Sequence, residues 1–468
     1  MNKGLVGVVA LVIGLAAGYT MRGGAAPAAE EAAPAAFSGF AAVPGEIGGQ
    51  DLFGPYDVVA GWPKGVETLP GHEKWTSGAA QGIFAENPNR VYLVARGELP
   101  HFENIPNTKL STIGPSLQFP IGGLPWRSAT QTALPGNGGT GGDPATGFEA
   151  WQGKGPNRRE LGVDARWEHC LVVVDAQGNI IEEWTQWDKI FKRPHSVYIS
   201  PYDPEKHVWV VDDHMHALYK FTNDGKQLVQ TVGTPEVPGA DGTHFNRPTF
   251  MAWAGDGSFY VADGYNGNRV AKFDKDGKFL LDWGMLGERG KETRPNYMNN
   301  VHGVAVDVET GRVFVNDRDN HRVQIFDSEG KYLSEWSITQ RPSSIHLIQI
   351  GQDRNIVAYD QGTQKMLKYD LEGHLLYSWG TVADLEGSLW GIHGISTDQE
   401  GNLYTAGVNS GKFVHAEARC QPGLHGRQAR VLGLAVAAVA GEPGRCSLSG
   451  SVPSNPISTI PARAPARP

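Results

Sequence analysis

The chain is poor in cysteine. Its 468 residues hold only Cys170, Cys420 and Cys446, and no disulfide framework can be built from them. Cys170 opens the apolar run Cys170-Leu171-Val172-Val173-Val174 and is expected in the core as a small hydrophobe. An excess of positive charge is also lacking. Against 50 acidic residues stand 41 basic ones, giving a net charge of −9. With no basic stripe, nucleic acid is not an expected partner. Long apolar runs are scarce. Leu5 to Gly18, following Lys3, is too short to span a bilayer comfortably and reads as an export signal. Residues 1–21 are therefore expected to be a signal peptide or N-terminal anchor, and the protein to be periplasmic or secreted. Its membrane contact would be limited to that segment. Residues 22–50, rich in Ala, Pro, Gly and Glu, read as a flexible linker. From Ala416 to Pro468 there is no Phe, Trp, Tyr, Lys or Asp. That stretch, 416–468, is expected to be a disordered tail.

What the chain has in quantity is glycine (61) and tryptophan (13), a mix that suits short strands, tight turns and aromatic wedges between sheets. A repeat organises them. Thr249-Phe250-Met251-Ala252-Trp253, Phe259-Tyr260-Val261-Ala262-Asp263, Arg269-Val270-Ala271-Lys272-Phe273 and Phe279-Leu280-Leu281-Asp282-Trp283 are four apolar-alternating runs separated by Asp, Gly and Asn turns. The segment after His302 repeats the pattern through Trp336. Four antiparallel strands per unit cannot bury both faces alone, and packing units around a ring solves this. Unit starts near Gln81, His195, Thr249, His302, Ser343 and His393 predict an all-β, six-bladed propeller over residues 51–415. Residues 97–168 interrupt blade one as a long Gly/Pro-rich insertion, a candidate lid. Blade six loses its pattern after Lys412-Phe413, and Tyr56-Asp57-Val58-Val59-Ala60 is a candidate for a missing strand.

Histidine holds the same repeat position in blades two, four and six. Alternate blades of a six-fold ring lie about 120° apart, so His195, His302 and His393 should converge on the channel axis. Three imidazoles suit zinc and leave one position open for substrate or water. His216 and His321 sit in the repeat's own turn and read as structural. His244, His346 and His374 fall outside the phase of the trio and read the same way. The second strand runs antiparallel to the first, so its end returns to the histidine face. Arg96, Tyr265 and Arg318 stand there. Two arginines point to a carboxylate-bearing substrate, and a tyrosine beside a metal can act as a base.

Asn320-His321-Arg322 matches the turn of the NHL repeat. Together with Arg193-Pro194-His195-Ser196-Val197, His244-Phe245-Asn246-Arg247-Pro248, Asp263-Gly264-Tyr265-Asn266-Gly267-Asn268-Arg269, Val301-His302-Gly303-Val304 and Asp317-Arg318-Asp319-Asn320, it makes the chain resemble the peptidyl-α-hydroxyglycine α-amidating lyase family from about Val59 to Phe413. The resemblance implies zinc on His195, His302 and His393, Tyr265 as base, and Arg96 and Arg318 at the substrate. It implies a carbon–nitrogen lyase, a monomer acting on a small or peptide substrate with a carboxylate, that yields an amide and glyoxylate. The resemblance also implies a structural calcium, but Gly394 stands where the family has an aspartate ligand after the third histidine, which counts against that ion here. The family's disulfide positions fall on Asn246, Asn266, Phe314 and Ile325. The competing readings are a non-catalytic NHL propeller that binds a partner, and a metal-dependent propeller hydrolase of the lactonase kind. The latter would be expected to use mainly carboxylate and amide ligands.

Overall fold

The computed structural model describes residues 52–101, 166–338, 343–381 and 386–419. The expected export signal and linker, most of the blade-one insertion and nearly all of the tail lie outside these residues. Within them the chain forms six four-stranded antiparallel sheets and two minor two-stranded ones. Their first strands are Ala80–Asn87, Pro194–Ile199, Phe250–Trp253, Val301–Asp307, Ile345–Ile350 and Ile392–Thr397. Each touches the next, and the sixth touches the first, so the ring closes as a six-bladed β-propeller.

Blades two to five are continuous in sequence, and blade one takes its strands in chain order around its insertion. The sixth is composite. Ile392–Thr397, Leu403–Gly407 and Phe413–Ala418 form its inner three strands, and Tyr56–Val58 supplies the outer one. Tyr56 pairs with Ala418 and Val58 with Ala416, while Val59 N–H donates to the His415 carbonyl at 2.9 Å. The third strand thus runs to Ala418, three residues past the boundary expected at 415. Joining the two ends of the ring in one sheet removes the open edge that strand collapse after Phe413 would otherwise leave.

One device recurs at the blade junctions. A turn glycine with positive φ packs flat on the tryptophan that ends the preceding blade: Gly225 on Trp184, Gly330 on Trp283, and Gly373 on Trp336. A Cβ at Gly330 would sit 2.6 Å from Trp283 Cε3. Gly54 does the same to Trp379, so the N-terminal lead-in reproduces the blade's own turn before its strand. Apolar side chains between adjacent blades complete the core, such as Trp209, Val211, Phe245, Phe259 and Phe273 between blades two and three.

Candidate metal centre

Five of the six first strands begin with an irregularity, and in blades two, four and six that irregularity aims the site. In blade two Pro194 pairs with Asp212 and Ser196 with Val211, so His195 bulges out of the ladder. His393 does so between Ile392 and Gly394, and His302 lies in the irregularity between Val301 and Val304. A bulge re-aims a side chain out of the pleat, here into the channel. A buried aspartate at the end of the second strand fixes the approach. Asp212 accepts the N–H groups of Lys192 and Arg193, and Asp317 accepts that of Asn299.

The three imidazoles meet, and their ligand nitrogens lie within 4.8 Å of one another. His195 and His302 have no exposure and His393 has 3 %. His302 Nδ1–H donates to the His346 carbonyl at 2.6 Å, and His393 Nδ1–H to the Gln81 carbonyl at 2.8 Å. Both therefore turn an Nε2 lone pair inward. Burial first, then neighbouring cationic groups, holds His302 well below the usual histidine range. His195 lies low for the same leading reason, and burial brings His393 down to about 3. Three neutral lone-pair donors thus share one buried space. The Tyr265 hydroxyl lies 3.1 Å from His195 Nε2 and 2.8 Å from His302 Nε2, and it can donate to only one of them. A borderline-soft dication such as zinc satisfies all three, so the residues fit that metal.

Tyr265 stands between two guanidinium groups, Arg247 at 4.4 Å and Arg193 at 5.6 Å from its ring centroid. Asp213 ties them together, accepting from Arg247 at 2.7 Å and lying 3.5 Å from Arg193. Burial works against its charge, yet Arg193 and Arg247 keep Asp213 ionised well below the ordinary carboxylate range. Arg96 is buried and donates to Gln81 Oε1 at 2.9 Å. Burial and then Arg193 push it down to about 9, still cationic at neutral pH. The Arg318 charge acts on His302, His346 and His393. Among the described residues its guanidinium has no side-chain hydrogen bond or ion pair. Four arginines against Asp212 and Asp213 leave this face with an excess of positive charge.

Below the trio Phe250 closes the channel, its ring 5.0, 5.2 and 5.7 Å from those of His195, His302 and His393. Beyond it the first strands line an apolar cavity of ≈ 260 Å³, and none of its lining residues carries a carboxylate. A Cβ on Gly394 would already meet Gly82 Cα at 3.1 Å. This part of the channel does not fit calcium.

The six expected site residues are all on one face, but one expectation fails. Ser343 is not the blade-five counterpart of the histidines. It donates to Asp360 Oδ2 at 2.7 Å, three residues upstream. The bulge between Ile345 and Leu347 holds His346, which the sequence reading set aside. Arg193, Arg247 and Asp213 were also absent from the expected site. The other histidines behave as read: His216 and His321 take the left-handed turn position, and His244 and His374 pair with Asp241 and Asp370.

A second histidine cluster stands at the root of the blade-one insertion. Glu98 has no exposure, and its two oxygens lie 2.9 Å from His72 Nδ1 and 2.6 Å from His169 Nδ1. His169 Nε2 reaches Glu183 at 2.8 Å. Against the cost of burial, Glu98 and Glu183 hold His169 up at about 9. With both N–H groups donated to carboxylates, it acts as an imidazolium staple, although His72, Glu98, Glu168 and His169 also lie close enough together to share an ion.

Comparison with known proteins agrees with this architecture. The NHL repeat family model matches residues 298–326, the heart of blade four. A probable peptidyl-alpha-hydroxyglycine alpha-amidating lyase of Caenorhabditis elegans is 30% identical over 158 residues, 34% of this chain and 43% of that protein. Peptidyl-alpha-hydroxyglycine alpha-amidating lyase 1 of Drosophila melanogaster is 33% identical over 173 residues, 36% of this chain and 31% of that one. NHL repeat-containing protein 3 of Mus musculus is 34% identical over 159 residues, 32% and 44% of the two chains. The matched stretch spans less than half of each relative. The chain is a six-bladed propeller with an NHL repeat, and over about a third of its length it resembles the peptidyl-α-hydroxyglycine α-amidating lyases and NHL repeat-containing proteins.

Proposed function

We propose that the protein is a zinc-dependent carbon–nitrogen lyase that converts an N-acyl-α-hydroxyglycine to an amide and glyoxylate. The observation that carries this is the convergence of three buried, neutral imidazoles with Tyr265 at hydrogen-bond distance from two of them. His195, His302 and His393 hold the metal. When bound, zinc supplies Lewis acidity at its open position. Arg96 and Arg318 take the substrate carboxylate by charge-assisted hydrogen bonds. Tyr265 takes the proton of the substrate hydroxyl. As the C–N bond breaks, the hydroxyl oxygen becomes the aldehyde oxygen of glyoxylate, and the proton returns to the departing amide nitrogen. Burial excludes water and strengthens each of these contacts. In this reading the protein works as a monomer outside the cytoplasm.

The similarity to NHL repeat-containing protein 3 supports a second reading, a propeller that only binds a partner. Glyoxylate release from N-benzoyl-α-hydroxyglycine by zinc-loaded protein separates the two. The lyase reading expects turnover that falls at least about 100-fold in Tyr265→Phe with zinc content unchanged. Stoichiometric zinc with no glyoxylate sinks the substrate assignment and leaves the metal centre standing.

A further inference from the structure

At the starts of the first strands the ring reads Gln81, His195, Thr249, His302, His346, His393, all but Thr249 within a bulge. The trio occupies alternate blades, so one further blade stands between each pair of histidines. Blade three fills its gap with Tyr265, whose hydroxyl touches His195 and His302. Blade one fills its gap with Gln81 and Arg96, and the Gln81 carbonyl accepts from His393. Blade five fills the third gap with His346.

His346 is held as firmly as the trio. It is 6 % exposed, and its ring centroid lies 4.5 Å from that of His302 and 5.1 Å from that of His393. Its carbonyl accepts from His302, and its Nδ1–H donates to Gln361 Oε1 at 2.9 Å. That bond sets the tautomer and leaves a lone pair on Nε2. Among the described residues Nε2 has no hydrogen-bond partner. A buried acceptor without a donor is costly, and native structures keep one where a functional role, a water or an ion accounts for it. His346 is outside the group whose nitrogens lie within 4.8 Å of one another, so it is not read as a fourth ligand to the metal.

We propose that His346 is a substrate-contacting residue that selects for a hydroxyl: its Nε2 accepts the hydrogen bond of the hydroxyl of a 2-hydroxy carboxylate seated at the trio in the resting complex, before that proton passes to Tyr265 in the reaction. This rests on the hydroxy-acid reading above and adds to it the group that tells a hydroxylated substrate from its deoxy analogue. Such discrimination follows when a site is built to pair a substrate hydroxyl.

The test compares mandelate with phenylacetate, which differ by that hydroxyl alone, in calorimetric titrations of zinc-loaded protein. The wild type is expected to bind mandelate about tenfold more tightly. His346→Leu should lose about tenfold on mandelate, change little on phenylacetate and keep its zinc. His346→Gln, which restores an acceptor, should recover part of the preference. Where the leucine variant folds poorly, His346→Met serves against His346→Gln. Equal loss on both acids, no loss on either, loss of zinc, or a wild type without preference each overturns the inference. A hydroxyl preference that depends on His346 in a protein releasing no glyoxylate sinks only the lyase reading. Glyoxylate release with a preference indifferent to His346 sinks only this one.

Discussion

The two histidine clusters of this propeller use one side chain in opposite ways. In the channel, His302 and His393 donate to backbone carbonyls, the three rings of His195, His302 and His393 lie against one another beside arginines, and burial keeps them neutral. At the root of the insertion, His169 lies between Glu98 and Glu183 and is held protonated up to about 9. The first set offers lone pairs and calls for an ion. In the second, His169 has lost its lone pairs to protons and is paired with two carboxylates. Convergence of histidines is therefore not enough to mark a metal site. What faces their second nitrogens decides it.

The strongest way to test that contrast is to remove one member of each set. His169→Ala leaves the unexposed Glu98 carboxylate with His72 as its one remaining side-chain partner among the described residues. Its expected cost is about 3 kcal/mol in denaturant unfolding, with zinc binding unchanged, because a buried charge loses part of its compensation. His393→Ala should do the reverse, lowering zinc affinity sharply with a smaller effect on metal-free stability.

The same contrast predicts opposite pH slopes. His169 has a folded pKa of about 9, above the ordinary 6.5, so its stabilisation is full below about 6.5 and is lost as pH rises toward 9. His393 lies at about 3, so in metal-free protein the unfolded chain binds its proton first and stability falls as pH drops from about 6.5 toward 3. Thermal unfolding of chelated protein should show both limbs, and His169→Gln should flatten only the alkaline one. An alkaline limb that survives His169→Gln would contradict the staple.

How much of this could be read beforehand follows from where the repeat is regular. The six blades, the alternate-blade trio and the shared face of Arg96, Tyr265 and Arg318 depend only on strand period and direction. His346 escaped because Arg193-Pro194 and Arg247-Pro248 immediately precede the residue at the start of the first strand, His195 or Thr249, and Arg341-Pro342 in blade five suggests the same offset. Three extra residues intervene there. The alternation of Ile345 and Leu347 around His346 was the signal that would have corrected it. Arg193, Arg247 and Asp213 escaped for another reason. Their role comes from pairing across blades two and three, and strand period carries no information about that. The outer strand of blade six was legible as a strand, and Gly54 before Tyr56 repeats the turn glycine of the other blades, which ties it to Trp379.

The smallest effect concerns that junction device. Gly330→Ala puts a Cβ at φ 78° and 2.6 Å from the Trp283 ring. A loss of about 1–2 kcal/mol is expected in urea unfolding, with zinc content unaltered. A neutral result would mean that the tryptophan can move aside.

The central claim is that the channel histidines, and not the other cluster, hold the metal. The direct measurement is the zinc content, by elemental analysis after dialysis, of the wild type and of His195→Ala, His302→Ala, His393→Ala and His72→Ala. One zinc per chain is expected in the wild type and in His72→Ala, and less than about a tenth in each channel variant. Zinc retained by the channel variants, or lost only from His72→Ala, would contradict the account.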